Sequence, residues 1–219
     1  MQPTAMQLGV RMETGVVRGA DGRRRCGWSV GTDDYAAYHD DEWGRPVVDD
    51  VRLYEKLVLE GFQSGLSWLT ILRKRDNFRV AFDGFDPEVV AGYGAADVDR
   101  LLADAGIVRH RGKIEAAVAN AGAVLRAQES HGSLAALIWS FEPRRRGRPV
   151  PVDLSQLPAR TDESTALAKE LKRCGFRFIG PTTAYAAMQS LGLVNDHLKG
   201  CSVRGACESD RRSVTVPTA

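Results

Sequence analysis

No stretch of this 219-residue chain approaches the ~20 consecutive apolar positions of a membrane-spanning helix. Its first twenty residues lack the apolar core of a secretion signal. A cytoplasmic protein without membrane contact is therefore expected. Cysteine is scarce and scattered, at Cys26, Cys174, Cys201 and Cys207, which excludes a disulfide framework and leaves inert thiols or metal ligands. Net charge is also low, at +2, so any affinity for a polyanion must come from local clusters. With 43% hydrophobic and 26% charged residues, the composition is that of an ordinary soluble globular protein. At ~100–200 residues per domain, the length fits one domain or two closely packed lobes.

Strand signals are missing too: no β-hairpin or βαβ unit is recognisable, and helical periodicity dominates. "DVRLYEKLVLEGF" lines up Leu53, Leu57 and Glu60, and "GLSWLTILRKRDNFRVAF" spaces Leu66, Leu69, Leu72 and Phe78. "AADVDRLLADAGI", "RGKIEAAVANAGAVLRAQES", "SLAALIWSF", "DESTALAKELKRCGF" and "PTTAYAAMQSLGLVNDHLKGC" continue the pattern, with Gly175 as a stop and Pro181 as a first-turn residue. An all-α fold of about eight to ten helices follows. Residues 1–24 read as a flexible extension, 25–207 as the helical domain and 208–219 as a flexible tail.

In "VNDHLKGC", His197 and Cys201 stand one helical turn apart. Near the start of the domain, "RRCGWSVGTDDYAAYHDDEWG" supplies Cys26 and His39. Together they would make a closed Cys2His2 site for one structural zinc ion, tying the chain ends together. The alternative is a set of buried thiols and satisfied core histidines. Cys207 competes for the fourth position, Cys174 reads as core, and His110 and His131 read as surface groups.

Tyr35, Tyr38 and Trp43 crowd into residues 35–43, suiting either core packing or a pocket that stacks a planar ligand. Glu60 ends an apolar helix in line with its buried face. An inward carboxylate is costly unless paired or used, whereas one at a helix end can also turn out to water. Leu66, on the turn "QSGL", is an apolar tip able to wedge between bases. Of four basic runs, which include "RKRDNFR", "EPRRRGR" reads as charged surface. "GIVRHRGK" and "LKRCGFRF" place Gly and basic residues at helix junctions, where backbone N–H groups can meet phosphates.

The motifs "RCGW", "YAAYHDDEWG", "LEGFQSGLSW", "DAGIVRHRGKI" and "GFRFIGPTTAYAAMQSLGLVNDH", with the following Cys201, resemble the 3-methyladenine DNA glycosylase I (Tag) family of the helix-hairpin-helix superfamily. They extend from residue 25 to residue 201 in the family's order. The resemblance implies a monofunctional base-excision repair enzyme with a helix-hairpin-helix fold of two packed lobes. It would flip N3-alkylated adenine out of double-stranded DNA, hydrolyse its N-glycosidic bond, release 3-methyladenine and leave an abasic site. It assigns zinc to Cys26, His39, His197 and Cys201, and the base to Glu60 with Tyr35, Tyr38, Trp43 and Trp68. Leu66 beside Gly65 would be the wedge. Residues 177–183, with Arg177, Gly180, Thr182 and Thr183, would be the DNA-gripping hairpin.

This chain has Phe62 where the family more often has a polar residue, and "SVRGAC" after Cys201 in place of a cysteine-rich run. A non-catalytic DNA-binding module is the main rival reading and gives Glu60 no special role. A zinc deaminase is disfavoured, because "HDDEW" has no following Pro-Cys-x-x-Cys and a closed clamp leaves no open coordination position. A monomer is expected of a protein that travels along DNA.

Overall fold

The computed structural model describes residues 14–145 and 147–218. Among them are strands β1 (Val16–Arg18) and β2 (Arg24–Cys26) and the helices α1 (Asp33–Asp41), α2 (Asp50–Gln63), α3 (Trp68–Ala81), α4 (Pro87–Val90) and α5 (Ala95–Ala103). The chain continues through α6 (Arg111–His131), α7 (Leu134–Trp139), α8 (Asp162–Arg173), α9 (Pro181–Ser190) and α10 (Arg204–Ser213). The fold is mostly helical, and no described helix is long and apolar enough to cross a membrane.

Helix α2 is the axis of the molecule. Asp49 caps it, accepting the Arg52 N–H at 2.9 Å. Residues 57–62 are all buried, so its second half is enclosed on every side and packs against α3, α6, α7 and α9. Each buried Leu or Phe there stabilises the fold by roughly 1.5–3 kcal/mol relative to exposure. Tyr54 donates to the Ala117 carbonyl of α6 at 2.8 Å, which satisfies its hydroxyl inside the core. One continuous apolar cluster runs from Tyr38 to Val194, so the expected lobes share a single core. Phe62 is fully buried against Phe78 and Phe82 and serves packing.

Helices α8 and α9 form a hairpin. Thr161 caps α8, Gly175 takes a left-handed φ of +98° after it, and Pro181 opens α9. Asn120 of α6 clips the connecting loop, accepting the Arg177 N–H at 2.7 Å and donating to the Arg177 carbonyl at 3.2 Å.

Four sequence expectations need correction. Residues 14–24 are not a loose extension: β1 pairs antiparallel with β2, Val16 opposite Cys26, and Leu154 donates to the Thr14 carbonyl at 2.8 Å. The turn is made at Asp21-Gly22, with Gly22 at φ +78°. Residues 1–13 of the expected extension lie outside the described residues. The tail expected from 208 is, up to Ser213, part of α10, which buries Cys207 and Arg211. Arg211 Nη2 donates to the Leu193 carbonyl at 2.8 Å and Glu142 at 2.9 Å, both remote in sequence. The His197–Cys201 segment is an irregular turn, because α9 stops at Ser190 and Gly192 reverses the chain at φ +78°. In α3 the buried face is Trp68, Ile71 and Phe78, while Leu66 precedes the helix.

The Asp50 carboxylate accepts the N–H groups of Leu134 and Ala135 at 3.0 and 2.8 Å and the Gln128 amide at 2.9 Å, fastening the start of α2 to the start of α7. Replacing Asp50 by Ala strands those donors, and the expected loss of stability is about 1–3 kcal/mol in urea unfolding.

Candidate active site and metal centre

A cleft opens between α1, α2, α3 and the end of α9, lined by Tyr38, Glu42, Lys56, Trp68, Arg75 and Ser190 among others. The Tyr38 and Trp68 rings lie 5.3 Å apart at 42°, forming two walls. Glu60, one turn after Lys56 on α2, is 6% exposed and has only distant partners: Lys56 Nζ at 3.3 Å and Ser190 Oγ at 3.5 Å. Burial raises its carboxyl above the usual range, and Lys56 only partly offsets this.

The other buried carboxylates provide the contrast. Asp196 receives Tyr185 Oη at 2.6 Å, Arg148 at 2.7 Å and Gln189 at 2.8 Å. Asp40 receives Arg25 at 2.7 Å and Arg23 at 2.8 Å. Both are saturated structural groups, whereas Glu60 retains capacity for a donor or a cation.

Lys56 is the cleft's own cation. Its Nζ stands 3.6 Å from the centre of the Trp68 ring, 4.9 Å from that of Tyr38 and 2.6 Å from the Tyr38 hydroxyl oxygen. Burial lowers its proton affinity, and Glu60 opposes that. Glu42 is held by Arg75 through contacts of 2.5 and 2.8 Å.

Directly behind the cleft, donor atoms of Cys26, His39, His197 and Cys201 lie within 4.8 Å of one another, all buried, and this group could hold a metal ion. Its hydrogen bonding favours one. His39 Nδ1 is 2.8 Å from Asp40 Oδ1, and His197 Nε2 is 2.9 Å from the Trp43 carbonyl oxygen. Those acceptors fix the protons there, so His39 Nε2 and His197 Nδ1 face each other at 3.2 Å with lone pairs and no hydrogen between them. These lone pairs need thiol protons, with Cys201 Sγ 3.5 and 3.6 Å away, or a cation among them, and outward bonds of this kind are what orient metal-binding imidazoles. Cys207 stays outside the group, buried beside the Trp43 carbonyl and Gly44.

The expected pocket rings divide. Tyr38 and Trp68 wall the cleft. Tyr35 is half-buried against Trp28 at 5.1 Å, and Trp43 stacks on His39 and meets His197 edge-on at 4.7 Å, so it backs the metal group. Trp28 touches Tyr35, Tyr38, His39 and Trp43 and joins the two sites. Lys56 was missed too, although its spacing of four from Glu60 on one helix marks a paired face.

On the outer surface, Leu66 is 39% exposed at the tip of the α2–α3 turn, where Gly65 adopts φ +86°. Phe178 of the α8–α9 loop is also exposed, held at φ +59°, and sits over Gly61 of α2. Arg177 and Gly180 are exposed, and Thr182 and Thr183 occupy the first turn of α9, whose N–H groups have no intrahelical partner. The basic runs are largely spent within the molecule: Arg73 pairs with Asp34, Arg79 with Glu55 and Arg111 with Asp99. Arg148, expected on a solvated face, instead reaches buried Asp196.

These elements define a mostly helical protein with an aromatic cleft beside a buried carboxylate and, behind it, a Cys/His group that could hold a metal ion. The methyladenine glycosylase family model matches residues 28–204, and the chain belongs to that family. It is similar to DNA-3-methyladenine glycosylase 1 of Escherichia coli K12, 48% identical over 177 residues that cover 81% of this chain and 95% of that protein. The Haemophilus influenzae Rd DNA-3-methyladenine glycosylase is 46% identical, covering 81% of this chain and 96% of that protein. The solved Staphylococcus aureus 3-methyladenine DNA glycosylase I, described for its recognition of 3-methyladenine, superposes with a TM-score of 0.75 at 38% identity, covering 81% and 94% of the two chains.

Lys113 of α6 is buried and donates to the carbonyls of Phe62 at 2.9 Å and Ser64 at 2.6 Å, anchoring the turn that carries Leu66. Lys113→Met is expected to destabilise the fold by about 1–3 kcal/mol and to speed amide exchange at Ser64 and Leu66. Unchanged exchange at those amides refutes the anchoring role.

Proposed function

We infer that this protein is a DNA glycosylase that removes 3-methyladenine from alkylated duplex DNA. The observation that carries the reading is Glu60, a buried carboxylate short of partners beside the Tyr38 and Trp68 rings, in a chain of the methyladenine glycosylase family. Alkylation at N3 makes the purine cationic and weakens its bond to the sugar, so the base leaves as a neutral molecule. Water adds to the anomeric carbon and releases a proton to solvent, the carbon–nitrogen bond breaks, and its electron pair returns to the purine. Little acid catalysis is required, and recognition is the main task of the protein. Ring faces attract the cationic base by roughly 0.5–2 kcal/mol each. Glu60 supplies the opposite charge, both to the base and to the positive charge developing on the sugar.

Leu66 on its exposed turn serves as the wedge that fills the gap left by the flipped base. The α8–α9 loop, through Arg177, Gly180 and the first-turn amides of Thr182 and Thr183, grips the phosphate backbone without reading sequence. Cys26, His39, His197 and Cys201 would hold one zinc ion. Two sulfurs and two unprotonated imidazole nitrogens suit it, and a full set of four protein ligands makes its contribution structural.

Release of free 3-methyladenine from methylated duplex DNA tests the reading. The wild type is expected to release it and Glu60→Gln to fall by ~10²-fold or more, with DNA affinity retained. Binding by both proteins without release supports a DNA-binding module instead. For the metal, elemental analysis should find one zinc per chain, and stripping it should lower the melting temperature by about 10 °C or more. A metal-free protein with an unchanged melt defeats the clamp.

A further inference from the structure

We propose that Lys56 is a resident counter-cation of the base pocket: its ammonium occupies the place of the cationic base in the free protein, yields to that base on binding, and returns to expel the neutral product. This rests on the glycosylase reading and deepens it. The ammonium lies 3.6 Å from the centre of the Trp68 ring, the distance at which a stacked base would lie, so ring and base cannot meet while it is there. It also contacts Tyr38 Oη at 2.6 Å and Glu60 at 3.3 Å. Glu60, Tyr38 and Trp68, the groups that carry the proposed base site, are thus all engaged by one side chain that is only 12% exposed.

The groups around it define where it can go and what replaces it. Facing the ammonium are Glu60 from α2, Tyr38 of α1 and Glu42 just beyond it, Arg75 and Trp68 from α3, and Ser190 from α9, with Arg52, Glu55 and Arg79 farther along the cleft. A lysine stem has enough freedom to swing its head towards Glu42 and Glu55 while its methylenes stay on the wall. A cationic base then restores to Glu60 and the rings the positive charge they lost. A neutral purine restores nothing and leaves a buried carboxylate unpaired. When the glycosidic bond breaks, the base loses its charge, and the ammonium again becomes the better occupant. Lys56 is therefore a specificity-determining residue that also favours product release.

The test is the binding of free 3-methyladenine and free adenine, both neutral, followed by quenching of tryptophan fluorescence in the wild type, Lys56→Met and Lys56→Arg. The Met variant keeps the length of the side chain without the charge, and the Arg variant keeps the charge. The proposal expects fivefold or greater tightening of both free bases in Lys56→Met. Lys56→Arg should remain as weak as the wild type, and product inhibition by 3-methyladenine in the release assay should strengthen in Lys56→Met alone. Equal or weaker binding by a folded Lys56→Met overturns the proposal, as does equal tightening in Lys56→Arg, which would point to space and not charge. Absence of base release from the wild type defeats the glycosylase reading itself and is recognised separately.

Discussion

A carboxylate carried into the core by an apolar helix is the constraint around which this molecule is organised. Helix α2 is buried along its second half, so Glu60 is nearly cut off from solvent and its charge must be met by what lies in and around the cleft. The cleft, the ring walls and the neighbouring ammonium are all answers to that requirement. Asp196 and Asp40 are buried as deeply, but each is saturated by short contacts to arginine or tyrosine. The fold can evidently satisfy a buried carboxylate completely where it has only a structural part to fill. At Glu60 it stops short, with contacts at 3.3 and 3.5 Å, and this sets it apart from the two struts.

The second organising element is the Cys26, His39, His197 and Cys201 cluster, which brings together segments some 170 residues apart in the chain. A metal tie across so long a loop would remove much of the freedom of the unfolded chain, although the benefit grows only slowly with length. It also explains why the segment after α9 can be irregular. The Asn195 carbonyl takes a hydrogen bond from Arg204 at 3.0 Å, the Leu193 carbonyl one from Arg211, and the Lys199 N–H bonds to the Pro151 carbonyl at 2.7 Å. Here side chains and the cluster do the work that a helix ladder does elsewhere.

What could be read from the sequence was whatever depends on local period. The long helices, the inward aim of Glu60 and the exposed tip at Leu66 follow from spacing and turn residues alone. The grouping of Cys26, His39, His197 and Cys201 was legible by their chemistry, although the helix imagined for His197 and Cys201 is not there. The β-hairpin was only half legible: Asp21-Gly22 is a turn signal, but the second strand, Arg24–Cys26, has no β-prone pattern. Helix α10 was not legible: its sequence is strongly polar, and its order depends on the remote partners of Arg211 at Leu193 and Glu142. The division of the rings between cleft and cluster was hidden for the same reason, because Trp43 and Trp28 take their places from tertiary packing.

Tyr38 and His39 are consecutive residues of α1, and one faces the cleft while the other joins the cluster. Successive side chains on a helix diverge by roughly 100°, so a single turn presents one residue to each site. With Trp28 wedged against both, the aromatic wall and the sulfur–imidazole knot are parts of one rigid corner. The pocket wall is in this sense set from behind: the aim of the tyrosine is fixed by how firmly its neighbour is held.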